Sequence, residues 1–266
     1  MSDDAFTLGF GTYNHTDPDD CADSVETALE LGYRHIDTAQ SYDNEPYVGT
    51  GIANSDVPRE DVFLATKVST HNLAYADVLD STAASIDRLD VDVIDLLYVH
   101  WPVRTYDAPE TLRAFDELVA DGSIHHVGLS NFTPDQLDDA NDRLEAPIFA
   151  HQIEMHPLLQ QRELHEYAID DDHWLVAYCP LARGAVFEEP VIQEIATKHD
   201  ATPAQVSLAW LMAKERVAAI PKASGAHIRE NFAARELALD AEDIDRIDAI
   251  DREERIVDPD IAPWNR

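Results

Sequence analysis

Four side chains that can carry or hold a proton lie at or just beyond the ends of predicted strands. Asp37 is near the end of the segment YRHIDT, Lys67 near the end of VFLATKV, and His100 directly after IDLLYV. Tyr42 follows Asp37 by five residues, in the loop that leaves the same segment. Such a set suits the protonation of a carbonyl oxygen, with a tyrosine as the general acid and a histidine orienting the carbonyl.

The lysine and the aspartate would support that acid. A phenol has an ordinary pKa of about 10, which makes it a weak acid at neutral pH. We expect the Lys67 ammonium to favour the phenolate and so to lower the pKa of Tyr42. We expect Asp37 to keep the lysine charged and in place.

Each of these residues also has an ordinary structural explanation. An aspartate at a strand end commonly caps a loop, a loop tyrosine commonly packs, and a histidine can be satisfied within a core. Lys67 is harder to explain in this way, because the chain has only Lys67, Lys198, Lys214 and Lys222 beside 15 arginines. Four such placements on successive strands therefore indicate a functional site.

No metal site is predicted, because the histidines and the two cysteines lack zinc-ligand spacing.

The elements that must position these residues alternate along the chain between β-rich and amphipathic helical segments. The predicted strands cover residues 7–12, 33–38, 62–68, 94–101, 124–132, 149–155, 174–180 and 217–223. Helix stop and start signals lie between them, including Gly32 and the Thr-Pro pairs at 133–134 and 202–203. Eight such repeats predict an α/β fold, a (β/α)₈ TIM barrel whose active site lies at the C-terminal ends of the strands.

The barrel is expected to form one domain over residues 1–266, since no linker, repeat or low-complexity tract interrupts the pattern. A doubly wound fold would normally carry a glycine-rich phosphate loop after its first strand, and GFGTYN lacks the third glycine. Few residues precede the first strand, so MSDDAF or side chains alone must cover the barrel bottom.

Composition restricts the partners and the surroundings of the protein. The formal net charge is −34, from 53 acidic against 19 basic residues spread along the whole chain. We interpret this as a halophilic surface that functions in concentrated salt, and we expect it to repel nucleic acid. No apolar run reaches the roughly 20 residues that span a bilayer. Two cysteines without paired spacing and no secretory signal favour the cytoplasm.

At these same residues the sequence resembles the aldo-keto reductase family over essentially its whole length. The similar stretches are TALELGYRHIDTAQSYDNE, HWP, GLSNFT, DATPAQVSLAW and the ending DREERIVDPDIAPWN. The resemblance is greatest to short bacterial members of the 2,5-diketo-D-gluconate reductase B type. It implies a catalytic tetrad of Asp37, Tyr42, Lys67 and His100.

The resemblance also implies a nicotinamide cofactor bound without a Rossmann domain. The cofactor-binding residues that it implies are Thr12, Ser130, Asn131, Gln152, Tyr178, Pro180, Leu181, Lys222, Ala223, Ser224, Glu230 and Asn231. Lys222 at the 2′-phosphate favours NADPH. NADH is also possible, because the KASGAH segment is about one residue shorter than is usual in the family. His227 lies near the position where family members often have an arginine that binds the phosphate. Arg229 is a further candidate for that phosphate contact.

The predicted substrate is a small molecule with a carbonyl group. Tyr13, Trp101 and Phe132 are expected to wall the space above the nicotinamide, and short rim loops favour small ketoaldehydes or keto-sugar acids. One alternative is an NAD-linked sugar or alcohol dehydrogenase. Another is a barrel that senses the cofactor without catalysis. We expect a monomer, and no membrane partner.

Overall fold

A computed structural model describes residues 3–265 of the chain. Its eight strands are parallel and are hydrogen-bonded in chain order. They are β1 Phe10–Gly11, β2 His35–Asp37, β3 Phe63–Val68, β4 Ile94–Val99, β5 Ile124–Ser130, β6 Ile148–Glu154, β7 Trp174–Tyr178 and β8 Val217–Ala219. Parallel bridges from Leu8 to Ala219 and from Gly11 to Lys222 join the first strand region to the last. The predicted (β/α)₈ barrel is thus confirmed.

The first and last strands are shorter than predicted. β1 has two residues and β8 has three, and beyond them only isolated bridges continue the pairing. Pro221 contributes to this interruption, since a proline has no N–H for the ladder and can only accept through its carbonyl, here from Gly11 N at 3.1 Å.

Helices follow the strands and cover the outside of the barrel. They are α1 Asp3–Phe6, α2 Pro18–Leu31, α3 Glu45–Asn54, α4 Tyr75–Leu89, α5 Ala108–Ala120, α6 Pro134–Asn141, α7 Arg162–Asp170, α8 Pro190–Lys198, α9 Pro203–Met212, α10 Ala226–Phe232 and α11 Ala241–Asp248. Within residues 3–265, no helix is long and apolar enough to cross a membrane.

The helix ends follow the sequence signals. Gly32 caps the C-terminus of α2, and its φ of 113° lies in the left-handed region that glycine adopts without strain. α9 begins with a reciprocal cap, in which Gln205 N donates to Thr202 Oγ1 and Thr202 N donates to Gln205 Oε1.

Phe6 and the aromatic side chains around it cover the barrel bottom, whereas Met1 and Ser2 of the predicted MSDDAF cover lie outside the described residues. α1 is a single turn, and its last residue, Phe6, is 2% exposed. The Phe6 ring stacks on His35 at 4.5 Å and meets the edges of Phe63, Phe149 and Trp174. This aromatic cluster closes the end opposite the predicted site.

Candidate active site

Asp37 and Lys67 form a buried ion pair where β2 ends and β3 is about to end. Lys67 Nζ lies 2.5 Å from Asp37 Oδ1, and both side chains are at most 2% exposed. Lys67 also donates to the carbonyl of Thr38 at 2.7 Å. A buried charge is stable only when paired and hydrogen-bonded, which both contacts achieve.

The second carboxylate oxygen of Asp37 is held by Gln152, which comes from β6. Gln152 Nε2 donates to Asp37 Oδ2 at 2.8 Å, and the Gln152 carbonyl accepts from Ser130 Oγ at 3.0 Å. Sequence reasoning assigned Gln152 only to the cofactor. Its contact with Asp37 gives it a second role, because it orients the carboxylate that pairs with Lys67.

Tyr42 ends a 3₁₀ turn, Gln40–Tyr42, directly above this pair. The Lys67 ammonium lies 5.3 Å from the centre of the Tyr42 ring. The pKa of Tyr42 is nevertheless raised well above its ordinary value, mainly by burial and next by the negative charge of Asp37. The net shift of the Tyr42 pKa is therefore opposite to the lowering predicted from Lys67, and that prediction is wrong. Burial likewise lowers the pKa of Lys67, and Asp37 opposes that shift. Tyr42 keeps its proton at neutral pH and has one to donate.

His100 follows β4 and faces the same space, with its ring centre 5.9 Å from that of Tyr42. Burial and the nearby charge of Lys67 lower its pKa to about 3. The imidazole is therefore neutral at neutral pH, with one nitrogen carrying a proton and the other accepting. Its Nδ1 lies 3.3 Å from Ser41 Oγ.

A wall of amide and hydroxyl groups continues from β5 to β7. Asn131 Nδ2 donates to the His100 carbonyl at 3.1 Å and to Ser130 Oγ at 2.9 Å. Asn131 Oδ1 accepts from the Tyr178 hydroxyl at 2.8 Å. These bonds fix the side chains that the sequence assigned to the nicotinamide end of a cofactor.

These elements enclose a cavity of about 660 Å³ at the C-terminal ends of the strands. The predicted residues that line it are Tyr13, Asp37, Tyr42, His100, Trp101, Asn131, Gln152, Tyr178, Pro180, Leu181 and Lys222. Lys67 lies buried beneath them. The other predicted residues, Thr12, Ser130, Ala223, Ser224, Glu230 and Asn231, lie outside its lining; of these, Ser224 is exposed and Glu230 half-buried.

The prediction for Phe132 needs correction. Its side chain is 2% exposed and packs edge-on against Tyr106 at 5.5 Å. It lines a separate cavity of about 340 Å³ beside α6 and α7. Trp101, in contrast, lines the main cavity as predicted, and its ring centre lies 5.5 Å from that of Trp264 in the C-terminal segment.

Sequence reasoning missed several residues that line the main cavity. They are Gly11, Asn14, Ser41, Cys179, Arg183, Gly184, Phe187, Ile220, Pro221 and Val257. Arg183 and Gly184 both have positive φ, 50° and 99°, so the chain turns sharply at the cavity mouth after β7. The sequence signal for this turn is the segment CPLARG directly after β7, which contains one arginine and one glycine.

The adenosine side of the predicted cofactor site carries few charged contacts. Lys222 and Arg229 are exposed, and within residues 5–265 neither side chain forms an ion pair with a carboxylate. His227 Nδ1 lies 2.9 Å from Glu230 Oε2, so these two side chains engage one another.

Within residues 5–265, no group of three or more His, Cys, Asp or Glu side chains is arranged to hold a metal ion. The site is thus an acid, an ion pair and a neutral imidazole beside an amide-lined wall.

The profile of the aldo/keto reductase family matches residues 7–252. The chain belongs to the aldo/keto reductase family.

Individual members of the aldo/keto reductase family resemble the chain over nearly its full length. Methylglyoxal reductase DkgB of Escherichia coli O157:H7 is 40% identical over 264 residues, which cover 97% of this chain and 98% of that protein. A solved structure described as a putative 2,5-diketo-D-gluconic acid reductase B aligns with a TM-score of 0.92 and 36% identity, covering 96% of this chain and 92% of that one.

A solved aldo-keto reductase complexed with NADPH aligns with a TM-score of 0.88 and 31% identity, covering 95% of this chain and 86% of that one. Aldo/keto reductases use nicotinamide cofactors to reduce carbonyl groups, and this chain is an oxidoreductase of that class acting on small carbonyl compounds.

Proposed function

We propose that the protein is an NADPH-dependent reductase of small aldehydes and ketones, with ketoaldehydes such as methylglyoxal or keto-sugar acids as substrates. The observation that carries the proposal is the buried Lys67–Asp37 pair beneath Tyr42 and His100, at one end of an open cavity. The name of the methylglyoxal reductase relative supports the choice of first substrate.

The cavity suits a nicotinamide cofactor in the nature of its groups. Asn131, Gln152 and Tyr178 offer amides and an aromatic face at one end, while Arg183 and Lys222 supply positive charge for phosphates. Among the side chains of residues 5–265, neither of these cations has a carboxylate partner, although the chain has 53 acidic residues. When bound, the cofactor supplies the hydride that reduces the carbonyl carbon.

The protein's own part is to deliver a proton to the carbonyl oxygen. The proton leaves Tyr42 Oη, forms the new O–H bond of the alcohol, and leaves a phenolate. The Lys67 ammonium, 5.3 Å from the ring, stabilises the charge that develops on Tyr42. Asp37 holds that ammonium, and the neutral His100 orients the carbonyl.

The outer walls of the cavity favour small or polar substrates. Tyr13 is 57% exposed and meets the Tyr42 ring edge-on at 5.2 Å, and Trp101 lies opposite near the C-terminal segment. Aromatic walls around an open mouth suit a short carbon chain with a hydrated polar end.

An NAD-linked alcohol or sugar dehydrogenase is a second candidate, because His227 and Glu230 engage one another near the expected 2′-phosphate contact. The same four residues would support both carbonyl reduction and alcohol oxidation.

We further propose a monomer in the cytoplasm, in keeping with two cysteines that are both free.

Initial rates of NADPH and NADH oxidation with methylglyoxal, measured in molar KCl and in dilute buffer, test the proposal. We expect oxidation that depends on methylglyoxal and is faster with NADPH. Comparable or faster rates with NADH would favour the dehydrogenase. No turnover with methylglyoxal, keto-sugar acids or simple aldehydes would contradict the reductase.

A further inference from the structure

Ser41 is a pocket-lining residue that the tetrad does not include. It lies between Gln40 and Tyr42 in the 3₁₀ turn, and its side chain opens onto the main cavity. Its hydroxyl has one protein partner within residues 3–265, the Nδ1 of His100 at 3.3 Å.

Both partners of this contact are held in place by other bonds. Gln40 anchors the turn, because its Nε2 donates to Ser81 O and Ser85 Oγ, and its Oε1 accepts from Ser69 N and Asn72 Nδ2. On the other side, the His100 carbonyl accepts from Asn131 Nδ2 at 3.1 Å. The contact between Ser41 and His100 is therefore set by the scaffold.

The contact matters because a neutral imidazole has two tautomers with opposite functions. With the proton on Nε2, that nitrogen can donate to a substrate carbonyl; with the proton on Nδ1, Nε2 becomes an acceptor and repels the carbonyl oxygen. Among the side chains of residues 5–265, none is a hydrogen-bond partner of His100 Nε2, and this nitrogen is not fully buried. It is thus available to the cavity.

We propose that Ser41 is a positioning residue that donates its hydroxyl proton to His100 Nδ1, and so keeps the His100 proton on Nε2, facing the substrate carbonyl. This inference rests on the proposed reductase function and adds a residue to it. Ser41 acts through His100 and transfers no proton to the substrate.

Kinetics of Ser41→Ala test the role. We expect kcat/KM to fall about 3- to 10-fold, the size expected for one neutral hydrogen bond, with a similar factor for methylglyoxal and for simple aldehydes. NADPH affinity should stay unchanged, and Ser41→Thr, which keeps the hydroxyl, should restore most of the rate. Ser55→Ala is the matched control, since the Ser55 hydroxyl donates to Ile52 O at the end of α3, away from the cavity.

A double-mutant comparison separates this role from direct substrate contact. In a His100→Gln background, Ser41→Ala should cause no further loss, because its effect passes through the imidazole. An equal loss in both backgrounds, or an unchanged kcat/KM in the single variant, would overturn the inference.

A spectroscopic readout does not depend on turnover. In ¹⁵N-histidine-labelled protein, long-range proton–nitrogen spectra distinguish the two tautomers, and the His100 signals are those lost in His100→Gln. We expect the Nε2–H tautomer in the wild type and a shift toward a mixture in Ser41→Ala. An Nδ1–H tautomer in the wild type, or identical spectra, would contradict the inference even if the wild type proved inactive and the proposed function failed.

Discussion

At the scale of single residues, the site depends on the hydrogen bonds that both oxygens of the Asp37 carboxylate accept. Asp37 binds Lys67 with one oxygen and Gln152 with the other, at 2.5 and 2.8 Å. The ammonium is thereby fixed below the phenol. Burial and the negative charge of Asp37 raise the pKa of Tyr42, so that Tyr42 keeps its proton at neutral pH.

Lys222 gives a prediction about the choice of cofactor. Lys222→Ala should weaken NADPH binding about tenfold and leave NADH binding nearly unchanged, because one charged contact to a phosphate is lost. Fluorescence titration with each cofactor measures both effects. Arg229→Ala in the same segment shows whether a second cation contributes. Equal weakening for both cofactors in Lys222→Ala would remove the assignment to the 2′-phosphate.

Residue types at and just beyond the strand ends were enough to predict that the four side chains lie together, because parallel strands bring their C-terminal ends together. The direction of the Tyr42 pKa shift was not predictable, since it depends on burial and on the distance to Asp37 in space. The second role of Gln152 and the position of Ser41 beside His100 likewise depend on contacts between distant segments.

At the scale of elements, the C-terminal segment reaches the site because Glu154 holds it. This carboxylate at the end of β6 is fully buried and accepts from Ile256 N at 2.6 Å, Val257 N at 2.8 Å and His156 Nε2 at 3.0 Å. Burial raises the pKa of Glu154, but these hydrogen bonds outweigh it and leave the pKa below its ordinary value. Nothing in the strand pattern signals this anchor.

Glu154→Gln should therefore loosen the segment that carries Val257 and Trp264. We expect a loss of about 2 kcal/mol in the free energy of unfolding, since an amide NH₂ would face backbone donors. Urea unfolding measures the loss, and faster hydrogen exchange at 256–257 would locate it. Glu166→Gln, an exposed change on α7, serves as the control. Unaltered stability and exchange would contradict the anchoring role.

At the scale of the whole molecule, buried histidines link stability to pH. Burial lowers the pKa of His35 to about 4 and that of His151 to about 3, from 6.5. The unfolded chain takes up these protons below pH 6.5 while the folded chain does not. Folding stability should thus fall as the pH drops from 6.5 toward 4, by about 1.4 kcal/mol per pH unit for each histidine.

Urea unfolding between pH 7 and pH 4.5 checks this slope. His151→Gln should reduce the pH dependence of the free energy of unfolding by the contribution of one histidine. The glutamine takes up no proton in this range, yet its side-chain oxygen can still accept from Phe132 N. A free energy of unfolding that stays constant over this range would show that these histidines do not control acid stability.

The net charge of −34 leads to a second prediction at this scale. Salt screens repulsion among exposed carboxylates, so the midpoint of thermal unfolding should rise from dilute buffer to molar KCl. NaCl at equal ionic strength separates screening from an effect of potassium. Full stability and activity in dilute buffer would contradict the halophilic interpretation.

The central claim is that Tyr42 is the acid of a carbonyl reductase. Tyr42→Phe should lower NADPH-dependent turnover of methylglyoxal at least about 100-fold, since the proton donor is removed. NADPH affinity should stay within about twofold, because little binding surface changes. Tyr75→Phe, whose lost hydroxyl contacts Glu117 on the barrel exterior, should behave as the wild type. Turnover that survives in Tyr42→Phe, with the wild type active, would contradict the account.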